Sequence, residues 1–229
     1  MRKELLLSFA LLLLSALGCS RFAEFSRSSH EPINANANIA ANTNPDGVPT
    51  GEFAPSGEAA ADIKKMAERF LKLESFRAKM DGEGEMPMNA VLEFVAPDRY
   101  RFRTEQGVET IVIGKTTYLK VGGSWRKMPV ALDSTITDMR ATFDEEGMKW
   151  IGDVRYTGIE DLDGRPAYTY TYHNKIPEVA GGENDSKLWV AMDSGLPVKV
   201  EAVYRTGNLK KMTIIYEHSV PVSIEPPLN

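Results

Sequence analysis

The sequence predicts an α+β domain in which one long antiparallel sheet, strongly curved, is capped on its apolar face by helices. Three observations carry that expectation. From about residue 91 onward, apolar side chains recur at every second position in run after run. The runs are joined by short turn sequences, among them Pro97-Asp98, Gly122-Gly123 and Gly207-Asn208, which suit hairpins. Only two stretches of the mature chain carry apolar residues at helical spacing. A sheet of about eight to ten strands twists and curls, and its apolar face must be covered.

The chain opens with Arg2 and Lys3, followed by an apolar run over residues 5–17 that only Ser8 and Ser15 interrupt. This is the layout of an export signal, and the run is short for spanning a bilayer. Ala16-Leu17-Gly18-Cys19 places the single cysteine directly behind it. The stretch resembles the lipobox of bacterial lipoproteins, with Ala16 where that motif usually has Leu and Leu17 where it has a small residue. Acylation is a use for an otherwise unpaired exported thiol, and two or more acyl chains give a stable anchor. Residues 1–18 are therefore expected to be a signal peptide and Cys19 the lipidation point, carrying palmitate-type chains. Ordinary cleavage after Gly18 is the alternative, because Ala16-Leu17-Gly18 also has the small-x-small form. Ser20 stands where an Asp would retain such a lipoprotein at the inner membrane. The resemblance thus implies an outer-membrane anchor facing the periplasm if the cell has two membranes.

Residues 19–56 are rich in Asn, Ala, Ser, Pro and Gly, as in Asn34-Ala35-Asn36-Ala37-Asn38. They show no structural period and too little apolar surface to offset the entropy of ordering. They are expected to be a flexible tether, holding the domain about 30–35 Å from the membrane. Residues 57–229 have the length of one domain. One cysteine allows no internal disulfide, so the core must hold the fold. A formal charge of -5 argues against nucleic-acid binding.

Ser56 is the expected N-cap of a first helix over about 57–73. Ile63, Met66, Ala67, Phe70 and Leu71 form its apolar stripe, and Lys64, Lys65, Glu68, Arg69 and Lys72 its polar face. Leu92 and Phe94, then Tyr100 and Phe102, then Ile111 and Ile113 mark successive strands. Thr117, Leu119 and Val121 follow, then Trp125. A second helix is expected over about 134–146, with Ile136, Met139 and Phe143 on one face and Gly147 ending it. Tyr168, Tyr170 and Tyr172 begin the later strands. Leu188, Val190 and Met192, then Val198, Val200, Ala202 and Tyr204, then Met212, Ile214 and Tyr216 complete them. Beyond Ser219 the chain is proline-rich and is expected to lie loosely on the surface.

Three stretches resemble the LolA/LolB superfamily, which includes the LppX/LprG-type lipoproteins. Ala96-Pro97-Asp98-Arg99-Tyr100-Arg101-Phe102 is similar to its early hairpin. Ile113-Gly114-Lys115-Thr116-Thr117-Tyr118-Leu119-Lys120 with Gly123-Ser124-Trp125 is similar to its middle strands. Leu188-Trp189-Val190-Ala191-Met192-Asp193-Ser194-Gly195-Leu196-Pro197-Val198 is similar to its late hairpin. The resemblance covers about 57–218 and implies an unclosed β-barrel whose concave side is capped by helices. It further implies a membrane-anchored lipoprotein that binds a lipid or acylated partner between sheet and helices, in lipid or lipoprotein transport or localisation. The alternative is an envelope stress sensor or protein-interaction module of the same fold, without lipid cargo. Alternation nominates Phe70, Leu92, Phe94, Tyr100, Phe102, Leu119, Met139, Phe143, Tyr170, Val190, Val200 and Ile214 as cavity residues, positions equally suited to a packed core.

No nucleophile elbow, phosphate loop or His-Glu-x-x-His occurs, so no enzyme, cofactor or metal is expected. His173 and His218 are expected at strand ends on the surface. Met86-Pro87-Met88 has no His or Cys beside it and reads as filler around a turn. Asp161 and Asp163 before Gly164 suit a hairpin turn. Arg99, Arg101 and Arg103 share one strand face, either solvated or offered to anionic lipid headgroups.

Overall fold

The computed structural model of the protein describes residues 48, 51–85, 87–128, 140, 142–175, 183–218 and 220–227. The expected signal peptide, Cys19 and most of the expected tether lie outside the described residues. One sheet of 11 strands organises the domain, in the order β6-β5-β4-β3-β2-β1-β11-β10-β9-β8-β7. The strands are β1 (Ser75–Gly84), β2 (Met88–Val95), β3 (Arg99–Thr104), β4 (Glu109–Ile113), β5 (Thr116–Val121) and β6 (Ser124–Lys127). They continue as β7 (Ile151–Leu162), β8 (Arg165–Lys175), β9 (Glu183–Ala191), β10 (Pro197–Tyr204) and β11 (Leu209–Glu217). Every neighbouring pair is antiparallel. The chain thus makes two meanders, β1–β6 and β7–β11, joined where β1 pairs with β11. Strands β6 and β7 are the two edges, so the sheet is an open half-barrel, the α+β architecture expected.

Two strands go beyond the alternation noted from the sequence. In β1, Phe76, Ala78 and Met80 point inward, but Ala78 and Gly82 are too small to make an apolar run conspicuous. In β7 the register shifts between Gly152 and Arg155 and again between Tyr156 and Gly158. Each bulge inserts an unpaired residue and breaks the period of two. Asp153 at φ 52° and Gly158 at φ 122° take up the bends.

Helix α1 (Ala59–Leu71) buries Ile63, Met66, Ala67 and Phe70. Its N-cap is Glu58, not Ser56. Ser56 acts one step earlier: its hydroxyl accepts from the Glu58 N–H at 3.2 Å, and its own N–H donates to Asp62 Oδ1 at 2.8 Å. The second helix expected over 134–146 falls largely outside the described residues, Ile136 and Met139 included. From residue 142 the chain runs in turns into a short 3-10 helix, Gly147–Trp150. Gly147 therefore opens a helical turn instead of ending a helix. The cause is Asp144, whose Oδ1 accepts from the N–H groups of Glu146 and Gly147 at 2.9 and 2.8 Å.

Both ends of the domain are better anchored than expected. Phe53, inside the segment read as tether, is fully buried, and its N–H donates to the Met192 carbonyl at 3.0 Å. It lies against Gly195, which has φ 66°; a Cβ there would sit 2.6 Å from the Phe53 ring. Only glycine permits both that conformation and that approach. Past Ser219, Ile224 is buried, and its carbonyl accepts from Arg99 Nη1 at 2.8 Å. The tail is thus docked on the sheet and does not lie loosely.

Candidate functional site

Strand register sorts the sheet into two faces. Phe76 pairs with Phe94, Phe94 with Tyr100, and Tyr100 with Val112. Ala78 pairs with Leu92, Leu92 with Phe102, and the row ends through Thr110 at Leu119. Tyr170 pairs with Leu188, Leu188 with Val200, and Val200 with Ile214. All these residues lie on the concave face, as does Val190 opposite Tyr168. Register thus gathers the nine nominated sheet residues onto one side.

Their burial differs. Phe70, Leu92, Phe94, Tyr100, Phe143, Tyr170, Val190 and Val200 belong to the buried core, with Phe102 and Ile214 half-buried against it. Leu119 is half-buried at the far end of the face. Met139 lies outside the described residues. Beneath α1 the rings meet directly. Phe70 lies 4.9 Å from Phe76, 5.4 Å from Tyr216 and 5.6 Å from Phe143, and Phe76 lies 5.3 Å from Phe94. Edge-to-face and tilted pairs at such spacings add to the burial itself. Under the helix, then, the protein's own side chains fill the space. Towards the β7 edge the same face opens: Tyr156 and Ile159, opposite Tyr170 and Tyr168, are 42% and 56% exposed.

Three side-chain contacts hold α1 and its end in place. Tyr170 donates to Asp62 Oδ2 at 3.2 Å. Arg69 Nη1 donates to the carbonyls of Ser194 at 2.6 Å and Gly51 at 3.0 Å. Arg140 donates to the Leu71 carbonyl in the last turn of α1. Burial raises the Tyr170 phenol well above its usual range, and the Asp62 carboxylate adds to this. Asp62 and Arg140 escaped the sequence reading. A carboxylate within an apolar helical stripe was the available signal for Asp62; Arg140 offered none.

The convex face is charged and internally paired. Glu93 is almost fully buried among Arg77 at 2.8 Å, Arg101 at 2.5 Å and Arg103 at 3.3 Å. Burial by itself would raise the Glu93 carboxyl, but hydrogen bonds from Arg77 and Arg101 outweigh it and hold the group below its usual range. Arg99 turns instead to Glu225 and the Ile224 carbonyl. The arginine row is therefore neither simply solvated nor free for headgroups. Trp189 lies buried beneath Lys187 and Lys199, whose Nζ atoms are 4.8 and 4.7 Å from its ring. His173 sits between Glu183 at 3.1 Å and Asp185 at 3.0 Å. A cleft of about 540 Å³ opens here, lined by Arg155, His173, Asp185, Lys187, Glu201 and Arg205 among others. Its charged walls suit no hydrocarbon. His218 is not simply a surface residue: it is half-buried, stacked on Tyr216 with ring planes 5° apart, and desolvation lowers its pKa to about 4.

No protein-family model and no curated protein matches the chain. Among solved structures, the lipoprotein LppX of Mycobacterium tuberculosis superposes with a TM-score of 0.57 at 16% identity. The match covers 75% of this chain and 100% of LppX. LprF of Mycobacterium bovis superposes with a TM-score of 0.56 at 15% identity, covering 78% of this chain and 100% of LprF. At such identities the likeness is one of fold, and it bears out the resemblance to LppX-type lipoproteins at that level.

Proposed function

We propose that this chain, sharing the half-barrel of LppX and LprF, is an anchored lipoprotein of the cell envelope that takes up an acyl chain against its concave face. Cys19 carries the anchor, in the outer membrane where there are two membranes. The cargo is a lipid or an acylated partner, held by burial and released without covalent chemistry. The observation that supports this most is the unequal cover of one continuous apolar face. Helix α1 closes the middle, while Phe102 and Leu119 towards one edge and Tyr156 and Ile159 at the other stay partly open.

Magnitudes favour exchange of helix for ligand. Lifting α1 uncovers Ile63, Met66 and Phe70, at a cost of roughly 5–9 kcal/mol. Burying about 14 methylenes of an acyl chain returns roughly 11 kcal/mol. A long chain can thus replace the helix contacts, whereas a short one cannot.

The test is organic extraction and mass spectrometry of protein purified from membranes, followed by titration of the delipidated protein with a fluorescent fatty acid. A retained acyl compound and saturable, competable probe binding are expected. If no acyl compound is retained and none competes, the carrier reading fails. Cys19→Ser is expected to abolish labelling by radioactive palmitate and release the chain from membranes.

A second reading is supported by the ring packing beneath α1, where Phe70, Phe76, Phe143 and Tyr216 leave the centre filled. It makes the half-barrel a protein-interaction module without cargo. Recovery of one specific membrane protein, with no lipid retained, would favour it.

A further inference from the structure

Arg140 is a cation placed among aromatic rings. Its guanidinium carbon lies 4.3 Å from the centroid of the Phe94 ring. Nη2 donates to the Leu71 carbonyl, and the Tyr100 side chain lies beside the group. Its Nε is buried with no hydrogen-bond partner. Burial lowers the pKa of the group, yet an arginine keeps its charge at any physiological pH. None of the ion pairs among the described residues involves it. The contrast with the convex face is direct: there, Arg77, Arg101 and Arg103 share the carboxylate of Glu93.

The contacts that Arg140 does make offset only part of its desolvation. A carbonyl at a helix C-terminus and a cation–π contact each stabilise a cation only modestly. Withdrawing part of a guanidinium from water costs more than such contacts return. Among the described residues no carboxylate meets it, and the surroundings specify the kind of anion it would take. A freely hydrated ion gains nothing from the rings of Phe94 and Tyr100. An anion attached to a hydrocarbon tail gains twice, from the guanidinium and from the face that continues past Tyr100 to Phe102 and Leu119.

We propose that Arg140 is the headgroup contact of the concave face, receiving the carboxylate or phosphate of an anionic acyl lipid whose chain lies along Phe102 and Leu119. This rests on the acyl-binding reading and adds the charge of the ligand to it. A guanidinium pairs with the oxygens of a carboxylate or phosphate through charge-assisted hydrogen bonds.

The test uses the delipidated full chain and three probes of one chain length: palmitate, 1-palmitoyl-lysophosphatidate and hexadecanol. Affinities are measured by displacement of a fluorescent apolar probe. The wild-type chain is expected to bind at least one anionic probe about tenfold or more tighter than hexadecanol, the advantage of charge-assisted hydrogen bonds. Which of the two binds tighter identifies carboxylate or phosphate. Arg140→Gln is expected to erase the preference for the anionic probes over hexadecanol, and Arg140→Lys to keep part of it. Equal wild-type affinity for all three overturns the proposal while the acyl-binding reading stands, and needs no variant to fold. Equal weakening of all three by Arg140→Gln also overturns it, making Arg140 a brace for α1. Binding of none of the three removes the acyl reading and this proposal together.

Discussion

Acidification from pH 7 to pH 5 should weaken the fold through one residue, His218. In the folded chain burial disfavours the imidazolium and sets the pKa near 4, although Asp193 pulls the other way. Unfolded, the group returns to about 6.5. The folded value is the depressed one, so the unfolded chain takes up the proton first. Stability is complete above the unfolded value and falls between about 6.5 and 4. The full displacement corresponds to roughly 3.4 kcal/mol, of which about 1.8 kcal/mol is lost between pH 7 and pH 5. Few other perturbed groups interfere, because the depressed carboxylates of Glu93, Glu160, Asp185, Glu201 and Glu217 titrate below this window. Urea unfolding at a series of pH values measures the loss. His218→Phe keeps a flat ring against Tyr216 and removes the titration, so its pH dependence over the same range should shrink by about 1.8 kcal/mol. The chain has three histidines, so NMR titration can follow His218 directly. A variant that loses as much stability as wild type on acidification, or a His218 that titrates near 6.5, would refute the reasoning.

Glu93→Gln strips Arg77, Arg101 and Arg103 of their shared counter-ion; an expected loss of roughly 2–4 kcal/mol, tempered by the partial exposure of the arginines, is checked by chemical denaturation. Since the folded Glu93 carboxyl is held low, its contribution is complete above the ordinary glutamate value and vanishes as pH falls below it. The same variant should therefore flatten the acid limb under about pH 4.5. Phe70→Ala opens a void between Phe76, Phe143 and Tyr216 and should cost about 3–5 kcal/mol in the same measurement. Tyr170→Phe removes the donor to the buried Asp62 Oδ2 and should cost about 1–3 kcal/mol; hydrogen exchange should show it concentrated in α1.

Much of the sheet was written in plain alternation. From Tyr100 and Phe102 to Met212 and Ile214, side chains on successive positions face opposite sides, and any apolar face shows itself. The two strands that did not follow the pattern show why it can fail. β1 carries small residues where it meets its neighbours: at Gly82, a Cβ would lie 3.0 Å from Leu209 and 3.1 Å from the Met88 carbonyl. β7 carries two bulges, so Tyr156 and Ile159 share a face although they stand three apart. The docking of Phe53 and Ile224 was hidden for another reason. A lone apolar residue in a polar, proline-rich segment has no period, and its burial depends on a site built elsewhere, such as the bare backbone at Gly195.

The candidate site was legible as a face but not as a site. Alternation selects Tyr170 and Phe102 alike, because both point inward. What separates them is the path of α1, which crosses from Asp62 over Tyr170 to Phe70 over Phe76 and Tyr216. Residues below that path have become core, and those beyond it, Phe102, Leu119, Tyr156 and Ile159, keep water-facing apolar surface that a ligand can claim. Arg140 marks the junction between the two zones, braced on the last turn of α1 and stacked on Phe94. A cation at that junction gives the open zone a polar end, so one ligand with a charged head and a long tail satisfies both.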